Sequence, residues 1–389
     1  MLSKNKLVLV SLLLICIGAA GGINILIQGE HALGINNQVP WGILIAGYVF
    51  FALSSTGIGL VSSLGHVFGL EQYELLGKRA LLASIVILLC GFGMLALELA
   101  NPLKLIYILI SPNLKSPIWW MGAFYSIYLV LLFAEFYYAL KDNHHKVKPI
   151  ANLALVIKLA AATNLGFVFG MLHARPYWQG PYFSLYMVLT AIVSGAALLS
   201  VIFYLAGKNG ANVFYKDSHI TTSLGKILAA ALVLTAVFTI VHLITGIYGN
   251  IPGKSAATAA LLTGPLSLKF WFIEIGMGLA LPLYLLLKYN FQIHQVFRAS
   301  VLAIAGVLLM RIDFVLAGQI IPLQVIEGLT VKGYNKYVAS WSEWSVILGA
   351  LGMAAFLYMA GESFFRLDVF VEESDEKGNI ITGKKHLSS

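Results

Sequence analysis

Long apolar runs, each of a length that can cross a bilayer, alternate along this chain with short polar breaks. Ten such runs stand out: 7–27, 41–68, 80–99, 117–140, 150–173, 181–206, 222–248, 265–288, 296–321 and 341–365. A helix crossing the hydrocarbon core needs roughly 20 apolar residues. The breaks are of the kind that end helices: the polar stretch 34–40 closing on Pro40, Asn101-Pro102, the charged stretch 141–146, and the segment from Pro322 onward. The runs are too long for strands and do not alternate with period two. A helix satisfies its backbone groups internally, which the bilayer demands. The pattern therefore predicts an all-α polytopic membrane protein, with 1–366 as a transmembrane helical domain and 367–389 as a polar cytoplasmic tail. The first run also reads as a signal peptide, since Lys4 and Lys6 precede an apolar stretch that reaches Ala19-Ala20. Its apolar character continues to Ile27, so a retained spanning helix is the better expectation.

Composition agrees. Of 389 residues, 59% are hydrophobic and 11% charged, and mean hydropathy is +0.86, whereas soluble domains are about a quarter charged. An ordinary soluble enzyme, a disordered protein and a disulfide scaffold are excluded. Cys16 and Cys90 are too few for an iron–sulfur cluster or a four-cysteine zinc site. With ten spans both termini share a face. Seventeen of the 25 Lys and Arg fall on that face, seven on the other, and Arg311 lies inside the ninth run. The positive-inside rule then predicts cytoplasmic termini in an inner, cytoplasmic membrane. The net charge of +8 is accounted for by topology, and nucleic-acid binding is not implied.

Ionisable residues within spans are costly and mark function. Orientation places most of them in the outer half: Glu98, His173, Arg175, His242, Glu274, Asp313 and Glu343. Glu135 and His66 sit toward the cytoplasmic ends. A protonatable cluster beside apolar and aromatic walls suits a quinone, whose carbonyls need hydrogen-bond donors and whose two-electron step moves two protons. Glu98, His173 and Asp313 are candidates for the proton chemistry. Trp41, Tyr48, Glu98, Trp119, His173, Arg175 and Trp178 are candidates for the quinone site, with Trp120 and Tyr177 at the same level. Glu135, His242, Glu274, Arg311 and Asp313 are candidates for a proton path. Each has a plainer reading. The aromatics form an interfacial belt, Glu135 snorkels, and His242 is a core histidine bonded to a carbonyl. Arg311 requires an anion, on another helix because Asp313 is two residues away, with Glu274 or Glu98 as the choices. Gly166 and Gly170 fit a small-residue packing face. Two other functions stay open. A proton-coupled secondary transporter would use the same buried charges, although mid-span prolines other than Pro282 are scarce. A haem b cytochrome would need paired histidines, for which His173 and His242 share a depth while His66 stands alone.

Several segments carry a resemblance: Val39-Pro40-Trp41-Gly42, Arg79-Ala80-Leu81-Leu82, Glu98-Leu99-Ala100-Asn101-Pro102, Ser116-Pro117-Ile118-Trp119-Trp120, Ala174-Arg175-Pro176-Tyr177-Trp178, Trp271-Phe272-Ile273-Glu274 and Arg311-Ile312-Asp313-Phe314. Together they resemble the NrfD/PsrC family of integral membrane subunits of quinone-linked oxidoreductases. The match runs from about residue 36 to about 350, and the length is similar to the longer HybB/ActC-like branch. The resemblance implies two four-helix bundles and a quinone site (menaquinone or ubiquinone) with Glu98 as its acid. It also implies no haem or iron–sulfur cluster in this chain, an iron–sulfur partner subunit, a catalytic subunit, and proton translocation as an open addition. A faint internal echo pairs Trp41 to Gly57 with Trp178 to Gly195, in parallel orientation.

Overall fold

The computed structural model describes residues 4–70, 73, 76–208, 218–323, 333–365 and 367, with short pieces at 373–374 and 380–381. Ten helices in it are long and apolar enough to cross a membrane. They are α1 (Lys4–Gln28), α2 (Ile43–His66), α3 (Gly77–Glu98), α4 (Pro117–Leu140), α5 (His144–Gly170), α6 (Tyr182–Lys208), α7 (Ser218–Tyr248), α8 (Lys269–Lys288), α9 (Ile293–Ala317) and α10 (Trp341–Phe364). All ten expected runs are helices. The predicted polar tail lies mostly outside the described residues; its described part is a short pairing of Glu373–Ser374 with Ile380–Ile381.

Local chemistry sets several helix ends. Ser116 accepts from the Trp119 N–H, with Pro117 opening α4. Ser340 and Glu343 form a reciprocal capping box on α10. α8 departs from regularity: Lys269–Ala280 is π-helical, and ordinary α-helix resumes at Leu281. A π stretch of this length is rare and tends to accompany function.

α2 is buried along nearly its whole length and packs against α3, α5 and α6. α4 packs on α5 and α3, so α2–α5 close on one another. α6 packs on α7 and α9, and α8 on α9, which groups α6–α9 beside them. α1 and α10 pair with each other along the side of α3 and mostly face lipid. Small residues carry the closest approaches, as expected where lipid supplies no hydrophobic drive between helices. A Cβ on Gly57 of α2 would fall 1.7 Å from the Ala191 carbonyl oxygen, and one on Gly195 of α6 would fall 2.3 Å from that of Gly57. The Gly166/Gly170 face lies against residues 180–184 at the start of α6. The two halves of the faint echo thus meet: Gly57 abuts Gly195, and the Trp41 and Trp178 rings lie 5.6 Å apart.

The ends of the spans define two faces. The basic face carries the α2–α3 and α4–α5 connections with Lys78, Lys141 and Lys146. The opposite face, called the outer face below, carries Trp41, Glu98, Trp119 and Trp178.

Candidate functional site

Glu98 closes α3 at the outer face, and its neighbours converge there. It is 9% exposed, the Gly42 N–H faces its carboxylate, and its Oε2 is buried with no hydrogen-bond partner among the described residues. Glu343 lies close by but is fully engaged. Its Oε2 accepts from the N–H groups of Gly34 and Ser340, both at 2.8 Å, and its Oε1 from the Tyr337 hydroxyl at 2.6 Å. Tyr337 in turn accepts from the Ile43 N–H at 2.9 Å. Burial, and then the Glu343 carboxylate, push the Tyr337 hydroxyl up from its ordinary pKa, so it stays a donor at neutral pH. Glu343 is therefore a structural cap, and Glu98 is the acid with an oxygen free. One helix layer in, Tyr48 of α2 and Tyr125 of α4 meet edge to face at 6.5 Å. Both hydroxyls are buried with no hydrogen-bond partner within 3.5 Å among the described residues, and that of Tyr125 lies near the Thr56 side chain. An apolar groove of about 540 Å³ between α1, α3 and α10 runs along α3 to Met94 and Leu97, immediately before Glu98, and opens sideways.

The other quinone-site candidates have structural roles. Trp41 is tied at both backbone ends to the Gln319 side chain, by bonds of 3.0 and 2.9 Å. Trp178 is buried and donates its ring N–H to the Phe314 carbonyl. Arg175 donates to three carbonyls, of Gln38, Gln319 and Ile321. It staples three outer loops, and its burial draws its pKa down from the ordinary guanidinium value. Trp119 bonds the Ile108 carbonyl and is half-exposed. His173 is exposed, with Nδ1 2.9 Å from the Met171 carbonyl. It is not brought to Glu98, because the backbone turns outward after Gly170.

The proton-path candidates divide into two places. In the second group, His242, Glu274 and Asp313 line one small chamber with Tyr177, Tyr182 and Phe183. Its free space is about 30 Å³, enough for one or two waters and far too little for a quinone ring. The expectation of a carbonyl-bonded His242 is corrected. Its ring lies 4.5 Å from that of Tyr182, nearly parallel, and neither ring nitrogen has a hydrogen-bond partner among the described residues. Asp313 Oδ1 is likewise buried and unpartnered. The wider π turns of α8 carry Glu274. Arg311, fully buried, also differs from expectation. It donates to the Met187 sulfur at 3.1 Å and to the Thr190 hydroxyl. Among the described residues no carboxylate lies within 4.0 Å of it. The Tyr125 and Tyr186 rings and Glu274 surround it at longer range.

Glu135 is on the basic half of the first group. It is 3% exposed, so it does not snorkel, and its Oε1 meets His66 Nδ1 at 2.9 Å. Beside it stands Lys158, which a count of charges by face does not mark as a candidate. Its position inside the apolar run 150–173 was the available signal.

The sequence has known counterparts. The family described as "Polysulphide reductase, NrfD" matches residues 31–323. The chain belongs to the NrfD family. It is 23% identical over 355 residues to the "Hdr-like menaquinol oxidoreductase integral membrane subunit" of Archaeoglobus fulgidus, covering 87% of this protein and 88% of that one. It is 23% identical over 379 residues to the C component of selenate reductase from Mesobacillus selenatarsenatis, covering 85% and 87%. It is 28% identical over 314 residues to the C component of polysulfide reductase from Wolinella succinogenes, covering 73% and 95%. The NrfD match spans both groups of helices and both candidate places.

Proposed function

We propose that this NrfD-family protein is the quinone-reacting membrane subunit of a multi-subunit oxidoreductase. One observation carries the reading: at the outer end of α2–α4, Glu98 Oε2 and the Tyr48 hydroxyl are buried with no hydrogen-bond partner among the described residues, with the Tyr125 hydroxyl next to them near Thr56, beside a groove that opens sideways. Unsatisfied polar atoms in hydrocarbon cost several kcal/mol each, as an order of magnitude. A ligand with two carbonyl oxygens and an apolar body supplies what they lack. The ring stands between Glu98 and the two tyrosines, and the isoprenoid tail lies in the groove. Tyr48 and Tyr125 donate to the ring oxygens, and Glu98 exchanges a proton with the one it faces. Electrons pass to or from an iron–sulfur partner subunit docked on the outer face, and a separate catalytic subunit belongs to the same complex. The relatives' names, which include a menaquinol oxidoreductase and polysulfide and selenate reductases, support membership of such a complex. The quinone is menaquinone or ubiquinone, and the protein itself holds neither haem nor cluster. The basic face is cytoplasmic, in the cytoplasmic membrane. Glu135, Arg311, Glu274, Asp313 and His242 serve proton movement.

Glu98→Gln tests the reading. The variant keeps the shape and the Gly42 contact but cannot exchange a proton. Quinone-linked turnover of the purified complex is expected to fall about 100-fold or more, with subunit stoichiometry unchanged. Wild-type turnover in that variant would remove Glu98 from the site.

A further inference from the structure

We propose that the polar side chains between α2, α4 and α5 form a proton route from the basic face to Tyr48 and Tyr125, with Lys158 as its exchangeable carrier. This rests on the quinone reading above and deepens it, by naming the face that feeds the ring.

The route is built from one side of α2. His66, Ser63, Gly59, Ser55 and Tyr48 follow one another at spacings of three, four, four and seven, which aligns them along a single helix face. α4 presents Glu135, Tyr128 and Tyr125 to that face, and α5 presents Lys158. At the basic end His66 is partly exposed and bonded to Glu135 Oε1, while Glu135 Oε2 has no hydrogen-bond partner among the described residues. Lys158, 3% exposed, donates to the Gly59 carbonyl at 2.8 Å and the Ser63 hydroxyl at 2.9 Å. Its ammonium stands 6.0 Å from the Tyr128 ring centre. Tyr128 donates to the Ser55 carbonyl at 3.3 Å, and Tyr125 is the next tyrosine up α4. The Tyr125 ring reaches Tyr48.

Two features separate this line from ordinary packing. First, Lys158 has neutral hydrogen-bond partners, and no carboxylate lies within 4.0 Å of it among the described residues. A structural lysine in hydrocarbon would be expected to hold an ion pair. A lysine placed as this one can take or give a proton without breaking one. The titratable groups facing it are Glu135 and Tyr128 from α4 and His66 from α2. α6, also packed on α5, carries tyrosines and its terminal Lys208 but no acid. Second, Gly59 is required by the arrangement. A Cβ there would fall 2.4 Å from the Tyr128 hydroxyl and 3.2 Å from the Lys158 nitrogen. Only a bare backbone lets both polar groups reach the α2 face.

The balance is simple. Reducing a quinone takes two electrons and two protons. The electrons come from the partner's iron–sulfur carriers at the outer face, and the protons travel singly through His66, Glu135 and Lys158 to the tyrosines, one passing to a ring oxygen and the other replacing the proton that Glu98 gives to the ring oxygen it faces. Oxidising a quinol reverses both flows. Because electrons and protons meet from opposite faces, each turnover moves charge across the membrane.

The test uses the whole complex, purified through a tag on this protein and reconstituted in vesicles. Reduced methyl viologen donates electrons, menadione accepts them, rates are taken as the excess over the direct reaction in protein-free vesicles, and a voltage-sensitive dye reads membrane potential. The wild type is expected to develop a potential during turnover. Lys158→Met and Lys158→Arg are both expected to slow menadione reduction at least tenfold and to abolish the potential, with KM for menadione within twofold of wild type. Lys158→Arg keeps the charge and the donors, so it decides the matter if Lys158→Met fails to assemble. Wild-type rate and potential in Lys158→Arg would overturn the proposal, because a fixed charge would then suffice. Wild-type turnover without a potential would also overturn it. A wild-type complex that cannot reduce menadione would overturn the quinone reading itself, a distinct result.

Discussion

The two helix groups each bury one cation on their fourth helix, Lys158 on α5 and Arg311 on α9. In both, the partner is a hydroxyl on the group's first helix: Ser63 of α2 for Lys158, Thr190 of α6 for Arg311. In neither does a carboxylate come within 4.0 Å among the described residues. The groups meet along α2 and α6 at the residues that the faint internal echo pairs, Trp41 with Trp178 and Gly57 with Gly195. The placements run in parallel, and the chemistry diverges. A lysine can lose its proton. An arginine does not do so in proteins. In the proposed scheme Lys158 carries protons, while Arg311 is a fixed positive charge between Tyr125 and Glu274. Depth differs too. Lys158 lies on the basic half beside His66 and Glu135, whereas Arg311 lies toward the outer chamber of Glu274, Asp313 and His242. The first group offers a groove beside its acid and, in the proposed scheme, a polar line to the opposite face, and the second offers a water-sized chamber.

Two variants probe that contrast. The larger effect is expected from Glu274→Gln, which keeps the π stretch and the shape of the chamber. If the second group serves proton movement alone, turnover should fall on the order of tenfold while KM for a short-chain quinone stays within twofold. A rise in KM with unchanged kcat would instead place quinone in the second group. The smallest effect is expected from His173→Phe. The ring is exposed and bonds a neighbouring carbonyl, so turnover should remain within twofold of wild type, and a large loss would restore the outer-mouth histidine to the site.

The spans were legible because a bilayer imposes one length and one polarity on every crossing, and the runs from 7–27 to 341–365 met both. The place of Glu98, buried at the end of α3, was legible for the same reason, as an acid at the end of an apolar run. What stayed hidden depends on which faces meet. Arg311 was assigned an anion by the rule that buried charges pair, yet a hydroxyl and a thioether receive it. Glu343 looked like one more outer acid, but three donors from the capping box, Gly34 and Tyr337 engage it. Arg175 looked like a ligand-facing cation, and three carbonyls claim it. Lys158 was overlooked because counting charges by nearest face assumes that a lysine reaches water, and this one turns inward to Gly59. The π form of α8 has no periodicity signature in Lys269–Ala280.

A quinone ring beside Glu98 in the first group is the point on which the rest depends. Photolabelling the purified complex with an azido-quinone, followed by peptide mapping, would locate it. Label is expected on the outer ends of α2 to α4, around residues 41–48, 94–98 and 121–125, and should disappear with excess unlabelled quinone. Competable label confined to α7 and α8 around His242 and Glu274, with none near Glu98, would contradict the placement.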